Sequence, residues 1–344
     1  MTNNAGLVVG IGSVGRRHAA VMAKRYEQLF VVDSSPAALG WAKENLSCRL
    51  HLGSSIDEVA SEVRAHADST TAVIASWGPA HYEHFVALSE LGVRRIFCEK
   101  PVATSLRQLS DMRAICERND IKMTAGLHLR YRGIAEFVNA VSRESLGGEP
   151  TSFVVDGGAR CVATTGSHWL DLAAAVYGIA RGSVVAHLRD SAINPRSPSL
   201  RYWEGTAIWE FSGVKCLTIT YDNSSSVHER ARFYAPTGVV DIDNDLVCRA
   251  RARDPRQLRD DPRTVRVGEV TTDVLAEHVP DLNEVLTLQL DEIEGKRPIT
   301  YGLDQVFDSA EALVLAFEAS RVGRRLQFPA TPDVLANCVD WNIS

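Results

Sequence analysis

The sequence lacks the features of a secreted protein, of a protein with a structural zinc site and of a membrane-spanning protein. Its seven cysteines are scattered, odd in number and form no C-x-x-C pair, so neither a disulfide framework nor a zinc site is indicated and no metal is expected. No apolar stretch approaches the roughly 20 residues that a membrane-crossing helix needs. The first residues, 1–4, show neither the charged nor the apolar part of a signal peptide. We therefore expect a cytoplasmic protein without a membrane partner.

Clustered positive charge is also missing. The chain has 37 Lys and Arg residues against 43 Asp and Glu residues, a formal net charge of −6, and no basic run. Because binding to a phosphate backbone depends on clustered Lys and Arg, no nucleic-acid partner is expected. The 45% apolar and 23% charged residues are ordinary for a globular chain, and 344 residues suit two domains better than one. These properties favour a two-domain protein that acts on a small molecule.

The first third of the sequence alternates short apolar runs with helical patterns. Apolar runs that predict strands lie at 7–9, 29–32, 48–52, 71–75, 95–98 and 121–125. Strands that alternate with amphipathic helices predict a parallel sheet covered on both faces. We assign residues 1–126 to this α/β domain.

The pattern changes after about Gly126. Alternating strands are predicted at 206–211, 215–221, 231–234 and 239–242, and turn signals separate them, which favours an antiparallel sheet. The charged stretch 249–266 carries two prolines and predicts an exposed loop or edge. We assign residues 127–344 to a second, α+β domain with an open-faced, mainly antiparallel sheet, whose last helix can pack back on the first domain.

The loop after the first strand matches G-x-G-x-x-G. A glycine pattern alone is weak evidence, but here a strand precedes it, a helix follows and an acid ends the next strand. Glycine permits a tight turn at the first position, close approach of a pyrophosphate at the second and close helix packing at the third. The helix N-terminus would hold the pyrophosphate, with Arg16 adding a charge. The predicted cofactor loop comprises Gly10, Ile11, Gly12, Ser13, Val14, Gly15 and Arg16.

Asp33, at the end of the second strand, indicates which dinucleotide binds. A carboxylate there accepts hydrogen bonds from ribose hydroxyls and repels a 2′-phosphate. Ser34 and Ser35 follow it, and neither can neutralise such a phosphate. NAD is therefore favoured over NADP.

Two further motifs give the chain a family resemblance. Glu99-Lys100-Pro101 follows the fifth strand, and the run from Gly166 to Leu172, which contains His168 and Asp171, opens a helix in the second domain. With the glycine loop and Arg16-Arg17-His18, these motifs resemble the glucose–fructose oxidoreductase, inositol dehydrogenase and MocA (Gfo/Idh/MocA) family over essentially the whole chain. The resemblance implies a Rossmann domain joined to an open-faced sheet domain, oxidation or reduction of sugars and cyclitols, some of them nucleotide-linked, and a homodimer or homotetramer.

The resemblance assigns the chemistry to Lys100 and His168. Oxidation of a carbinol by hydride loss requires removal of a proton, and a lysine tuned by burial and neighbours can act as the base. The alternative for Lys100 is an exposed lysine paired with Glu99. His168 lies near a helix start, where Ser167 is a candidate N-cap and the helix dipole favours the neutral imidazole. Asp171 lies one turn further and can orient it. The alternative for His168 is a structural histidine.

One position departs from the family pattern. Many dehydrogenases of this family have an aspartate four residues before the histidine, whereas this chain has Thr164. A threonine cannot serve as a carboxylate base or hold Lys100 by charge. Three alternatives follow. Lys100 and His168 transfer the proton without a carboxylate, or the substrate is bound differently, or catalysis has been lost.

The remaining candidates rest on position alone. On the cofactor side the resemblance adds Ser76 and Trp77, which replace the usual Thr-Pro, together with His81, Glu99 and Lys100. His81 is equally consistent with a packed helix-start histidine and with a contact to nicotinamide or substrate. His128 and Arg130 occupy the place of an Asn-x-Arg pair, and for Arg130 a substrate contact and an interdomain ion pair are equally supported. Predicted substrate-binding residues are Lys100, His128, Arg130, Arg160, Thr164, His168 and Asp171.

We thus expect an NAD-dependent oxidoreductase that acts on a hydroxyl or keto carbon of a sugar, cyclitol or nucleotide-linked sugar. Two alternatives stay open: an NAD-binding sensor without turnover, and an enzyme that oxidises transiently to epimerise or eliminate. The enzymatic reading expects Lys100 and His168 to converge at the redox carbon.

Overall fold

The structure is a computed structural model that describes residues 4–158, 160–191, 202–252, 274–275 and 281–343. The chain divides into two compact units. Unit 1 contains Met1–Leu127, Asp281–Ala310 and Leu335–Ser344, and unit 2 contains His128–Pro280 and Glu311–Val334. Unit 1 therefore includes two late segments that the sequence analysis assigned to the second domain. The domain boundaries given there stay a prediction.

The described strands form two sheets. The strands are β1 (Ala5–Val9), β2 (Gln28–Val32), β3 (Arg49–Gly53), β4 (Thr70–Ile74), β5 (Arg95–Cys98), β6 (Lys122–Ala125), β7 (Ser152–Gly158), β8 (Gly182–Ser191), β9 (Tyr202–Phe211), β10 (Cys216–Asp222), β11 (Arg230–Ala235), β12 (Gly238–Ile242), β13 (Cys248–Ala252), β14 (Val274–Leu275) and β15 (Leu326–Phe328).

Helices connect or flank these strands. The described α-helices are α1 (Ser13–Arg25), α2 (Pro36–Asn45), α3 (Ile56–Ala65), α4 (His81–Glu90), α5 (Leu106–Asn119), α6 (Ile134–Ser145), α7 (Ser167–Tyr177), α8 (Leu282–Ile293), α9 (Leu303–Val322) and α10 (Pro332–Asn337). Short 3₁₀ turns and one π-helical turn, at Val162–Gly166, supplement them. In the part of the chain that the structure describes, no helix is long and apolar enough to cross a membrane. The cytoplasmic location expected from the sequence stays a prediction.

Unit 1 is built on a six-stranded parallel sheet in the order β3-β2-β1-β4-β5-β6. Every residue of β1, β2 and β4 is buried, as expected for strands covered on both faces. The order reverses between β1 and β4, and in open parallel sheets ligands bind beyond the carboxyl ends of the strands at such a switch point. The predicted Rossmann domain is confirmed.

Helix α8 completes the core of unit 1, although more than 150 residues of sequence separate it from β6. A capping box of Asp281 and Glu284 begins the helix. Its apolar residues Leu286, Leu290 and Ile293 belong to the same buried cluster as residues of β1, β2 and β5. The sheet therefore needs a late segment of the chain to cover one of its faces.

A polar network beside α8 reinforces this attachment. The Glu294 carboxylate accepts hydrogen bonds from the Tyr26 hydroxyl and, at 2.5 Å, from the Arg25 guanidinium, which also donates to Asp291 at 2.5 Å. Burial opposes ionisation of Glu294, but the hydrogen bonds from Arg25, Lys296 and Tyr26 outweigh it and lower its pKa to about 2. Burial, together with the charge of Glu294 and the hydrogen bond to it, raises the pKa of Tyr26.

Unit 2 contains the second sheet, in the order β14-β13-β12-β11-β7-β10-β9-β8-β15. Neighbours are antiparallel except β7 and β10, which are parallel. The prediction of an open-faced, mainly antiparallel sheet domain is confirmed. The exposed loop or edge predicted for 249–266 lies outside the described residues from position 253 onward.

Candidate functional site

The candidate cofactor residues of unit 1 follow parallel strands at one edge of the sheet. Gly10 comes after β1, Asp33 after β2, Ser76 shortly after β4 and Glu99 after β5. Because these strands are parallel neighbours, their carboxyl ends share one edge, which we call the carboxyl edge. The order of the strands therefore brings together residues that are up to 89 positions apart in the sequence.

Each glycine of the loop has its own steric reason. Gly10 has a φ of +92°, and a Cβ there would lie 2.5 Å from the Ser76 backbone. A Cβ at Gly15 would lie 1.9 Å from the Gly10 carbonyl oxygen. At Gly12, by contrast, an added Cβ meets nothing within 4 Å. Gly10 and Gly15 are thus required by the fold, whereas Gly12 leaves open space at the start of α1.

That open space adjoins free donors at the helix N-terminus. Gly12 is the N-cap of α1 and offers no side chain to cap its N–H groups. Unsatisfied N–H groups and the helix dipole attract an anion such as a pyrophosphate. The Arg16 guanidinium lies 4.9 Å from the Trp41 ring centroid and is exposed beside this turn. The residues present therefore fit a dinucleotide pyrophosphate, and the contacts of Ile11, Ser13, Val14 and Arg16 with it stay predictions.

Asp33 is fixed against the glycine loop. Its Oδ2 accepts a hydrogen bond from the Ile11 N–H at 2.6 Å, and its Oδ1 accepts one from the Ser35 N–H at 2.8 Å. The carboxylate is partly exposed. Each oxygen can accept more than one hydrogen bond, so capacity for ribose hydroxyls remains.

Glu99 is engaged by protein groups. Its Oε1 lies 2.8 Å from Nε2 of His18, and its Oε2 accepts the Lys100 N–H at 3.2 Å. Burial alone would raise the pKa of Glu99, but the hydrogen bond and charge of His18 and the charge of Lys100 lower it. A Cβ at Gly126 would lie 2.6 Å from this carboxylate. The half-buried Lys100 thus comes directly after a carboxylate that protein contacts hold in place.

His81 is a packed residue. Its exposed fraction is 1%, and both ring nitrogens face backbone carbonyls, Nδ1 that of Pro101 at 2.8 Å and Nε2 that of Ser76 at 3.0 Å. Of the two alternatives from the sequence, the structure favours the packed helix-start histidine. Ser76 Oγ lies 2.8 Å from His84 Nδ1, and the neighbouring Trp77 is 48% exposed.

In unit 2, His168 lies at the start of α7 beside His128. Their ring centroids are 4.2 Å apart and the rings are tilted by 46°. Both residues are half-buried. The sequence analysis named the two residues separately, and no sequence pattern indicated that their rings would meet.

Arg130 and Asp171 form a buried ion pair within unit 2. Arg130 Nη2 donates to Asp171 Oδ1 at 2.8 Å and Nε donates to Oδ2 at 3.3 Å, while Nη2 also reaches the Asp171 carbonyl at 3.2 Å. The side chains are 8% and 0% exposed. The interdomain ion pair considered for Arg130 is thus an ion pair inside one unit. Asp171, expected to orient His168, receives two hydrogen bonds from Arg130.

The expected N-cap role of Ser167 is wrong. The π-helical turn Val162–Gly166 runs directly into α7, and Gly166 precedes its first residue. The Ser167 hydroxyl donates to the Thr164 carbonyl at 2.7 Å. His168 therefore follows a helical turn, which weakens the argument that a free N-terminus sets its charge. Thr164 itself is buried.

Arg160 belongs to a cluster that sequence reasoning missed. Its Nε lies 3.8 Å from Oε2 of Glu229, a residue 8% exposed. Glu229 Oε1 accepts hydrogen bonds from the Trp169 indole, at 2.8 Å, and from the Tyr221 hydroxyl. Burial raises the pKa of Tyr221 well above its usual value. Trp169 follows His168 directly, so this cluster links Arg160 to the start of α7.

A family model matches the first third of the chain. The model, GFO_IDH_MocA, is described as an oxidoreductase family with an NAD-binding Rossmann fold and matches residues 6–127. Inositol 2-dehydrogenase 3 of Saccharopolyspora erythraea is 35% identical over 85 residues, which cover 23% of this chain. The match spans 25% of that relative's length.

Solved structures match nearly the full length of the chain. Aldose-aldose oxidoreductase from Caulobacter crescentus, complexed with glycerol, has a TM-score of 0.73 at 16% identity, with 95% of this chain and 100% of that chain covered. The WlbA dehydrogenase from Bordetella pertussis, in complex with NADH and UDP-GlcNAcA, has a TM-score of 0.70 at 17% identity, with 95% and 99% covered. At these identities the likeness shows a shared fold.

Proposed function

We propose that this chain, whose residues 6–127 match the model of the Gfo/Idh/MocA oxidoreductase family, is an NAD-dependent oxidoreductase of a sugar, cyclitol or nucleotide-linked sugar. The observation that carries the proposal is the carboxyl edge of unit 1. There the glycine loop, Asp33 and Lys100 follow parallel strands on both sides of the switch between β1 and β4.

The residues at this edge match what a nicotinamide dinucleotide needs. The N-terminus of α1 would hold the pyrophosphate, Gly12 would leave it room, and Asp33 would accept hydrogen bonds from the ribose hydroxyls. When bound, NAD supplies the hydride acceptor, and NADH the donor. The partly exposed Asp33 carboxylate, followed by two serines, repels a 2′-phosphate and favours NAD over NADP.

Lys100 is proposed to accept the proton of the reacting hydroxyl during oxidation. A base that accepts this proton must lie at the carboxyl edge, and Lys100 does. The ionised Glu99 precedes it and accepts its backbone N–H, so the segment that bears the amine is anchored on one side. In the reductive direction the same amine returns the proton.

His168 is proposed to assist proton transfer or to orient the substrate. Its ring contacts His128 in unit 2, and the buried pair of Arg130 and Asp171 stiffens the same region. Arg160, held by Glu229, is proposed to bind a hydroxyl, carboxylate or phosphate of the substrate. His168 belongs to unit 2 and Lys100 to unit 1.

The deciding experiment measures NADH binding and turnover side by side. The purified protein is titrated with NADH by fluorescence and then assayed at the reduced-nicotinamide absorbance band with inositols, aldoses and UDP-sugars. Lys100→Ala should lower kcat by about a hundredfold or more, with NADH affinity unchanged. Lys43→Ala, an exposed lysine of α2, is the matched control and should leave both values at wild-type level. Full turnover by Lys100→Ala would contradict the assignment.

A second candidate function is an NAD-binding sensor. It is favoured by Thr164, a buried residue that cannot act as a carboxylate base. NADH binding with no absorbance change across the panel would support the sensor. Product formation without net NADH would instead support transient oxidation during epimerisation or elimination.

A homodimer or homotetramer is also proposed, from the sheet of unit 2. Along β9, the buried residues Ala207, Trp209 and Phe211 alternate with the half-buried Ile208 and Glu210. Such a face, covered less than its opposite side, is suited to a second copy. Sedimentation velocity tests this: Ile208→Asp should shift the wild-type oligomer toward monomer, and a monomeric wild type would refute it.

A further inference from the structure

The two loops that follow β4 and β5 are joined through one buried histidine. His81 Nδ1 lies 2.8 Å from the Pro101 carbonyl, and Nε2 lies 3.0 Å from the Ser76 carbonyl. Pro101 follows Lys100 directly, and Ser76 lies beside Gly10 of the glycine loop. The His81 ring therefore connects the cofactor loop region to the segment that carries Lys100.

Both partners of His81 can only accept hydrogen bonds. A neutral imidazole has one N–H and can donate to one carbonyl, whereas donation to both requires the imidazolium. Burial lowers the pKa of His81 and outweighs the two carbonyls and the charge of Glu99, which raise it, while nearby His84 also lowers it. The ring is therefore neutral near pH 7. The shorter contact assigns its proton to Nδ1, which donates to Pro101.

The other side of Lys100 is held independently. Glu99 Oε2 accepts the Lys100 N–H, and Glu99 Oε1 is held by His18, whose ring packs against Phe97 at 4.9 Å between centroids. His81 acts on the following residue, Pro101. The backbone of Lys100 thus lies between an anchored carboxylate on one side and an anchored carbonyl on the other.

We propose that His81 is a positioning residue for Lys100, which it fixes by donating Nδ1–H to the Pro101 carbonyl. The proposal rests on the proposed function in assigning the proton to Lys100. It adds that the buried imidazole never touches the substrate and acts only through the backbone that presents the amine. A misplacement of a reacting group by about 1 Å can cost about a hundredfold in rate, so a lost anchor has a measurable effect.

Three substitutions separate the anchor from simple packing. His81→Phe keeps the ring and removes both nitrogens. His81→Asn places an amide donor near the position of Nδ1 and keeps the bond to Pro101, whereas His81→Gln places its donor near the position of Nε2 and keeps the contact with Ser76. A role in packing alone would make the Asn and Gln variants equivalent. His51→Phe is the matched control, because His51 lies on the edge strand β3 and packs against Phe30.

The first readout needs no substrate. The chain has six lysines, so reductive methylation with ¹³C-formaldehyde gives six dimethyl-lysine signals, and Lys100→Arg identifies that of Lys100. In His81→Phe and His81→Gln we expect the Lys100 signal and its titration midpoint to move, while the other five signals stay. His81→Asn should return the Lys100 signal close to its wild-type position, and His51→Phe should not move it.

The second readout uses a substrate found in the panel above. His81→Phe and His81→Gln should lower kcat by about tenfold to a hundredfold with KM and NADH affinity nearly unchanged, and His81→Asn should recover most of kcat. A Lys100 signal unchanged in His81→Phe, or equal rescue by Asn and Gln, would overturn the proposal. If the Phe variant fails to fold, the comparison of Asn with Gln decides. Retained activity in Lys100→Ala would defeat the proposed function but leave the NMR test of His81 valid.

Discussion

The guanidinium of Arg130 and the carboxylate of Asp171 are joined by two hydrogen bonds, of 2.8 and 3.3 Å, inside unit 2. Neither side chain is more than 8% exposed. Loss of one partner would leave the other as an uncompensated buried charge, which is strongly destabilising. The intact pair, by contrast, adds little stability compared with a pair of apolar residues at the same positions. We therefore predict that Asp171→Asn lowers the free energy of unfolding by about 3 to 5 kcal/mol, measured by urea denaturation.

An exposed ion pair in the same unit is the control. Lys215 and Glu149 are 2.7 Å apart, but Glu149 is 68% exposed. Exposed pairs contribute less than about 1 kcal/mol, so Glu149→Gln should hardly change the free energy of unfolding. Equal losses for the two variants would show that burial of the Arg130 pair has no special effect.

The glycines of the cofactor loop should respond differently to substitution. Gly12→Ser adds a side chain in open space and keeps a good N-cap residue, so we expect the melting temperature to stay near the wild-type value. NADH affinity should fall at least about tenfold, because the new Cβ occupies room for the pyrophosphate. Gly15→Ala places a Cβ 1.9 Å from the Gly10 carbonyl and should instead lower the melting temperature. Scanning calorimetry and NADH fluorescence separate the two effects, and tight binding by Gly12→Ser would refute the proposed site.

Charge at Asp33 should govern the choice between NADH and NADPH. Asp33→Asn retains an oxygen that can accept the Ile11 N–H but removes the charge that repels a 2′-phosphate. We expect weaker NADH binding and stronger NADPH binding. The dissociation constant of NADPH divided by that of NADH should therefore fall, as measured by calorimetry. An unchanged ratio would mean that Asp33 does not contact the ribose.

Glu294 should make unit 1 sensitive to acid. Its pKa is lowered from 4.5 to about 2 in the folded protein, so its contribution is complete above about pH 4.5 and is lost as the pH falls toward 2. Between pH 6 and pH 3, Glu294→Gln should therefore lose less unfolding free energy than the wild type, measured by urea denaturation. Glu27→Gln, at an exposed position, should lose as much as the wild type.

Local patterns were sufficient to predict which candidate residues lie at the carboxyl edge. Gly10, Asp33 and Lys100 each follow an apolar run, and the rule that parallel strands end at one edge brings them together. The glycine roles at Gly10 and Gly15 agree with the steric contacts found there. These predictions depended on residues close in sequence and on a known sheet topology.

Pairings between polar residues that are distant in the chain could not be predicted from the sequence. His18 and Glu99 are 81 positions apart, and Arg130 and Asp171 are 41 apart. Every charged residue has several possible partners, and only packing decides which is buried beside it. The error at Ser167 has a similar cause, since a preceding π-helical turn leaves no periodic apolar pattern. The parallel pairing of β7 with β10 likewise depends on non-local contacts.

The late arrival of α8 has a consequence for synthesis on the ribosome. Helix α8, which carries Leu286, Leu290 and Ile293, is synthesised long after β6. One apolar face of the nascent sheet therefore stays uncovered until α8 has left the ribosome. At roughly 5 to 20 residues per second, that wait lasts on the order of 10 to 30 seconds. During this interval the uncovered apolar face favours aggregation of the nascent chain, and we expect a fragment of residues 1–127 to aggregate for the same reason.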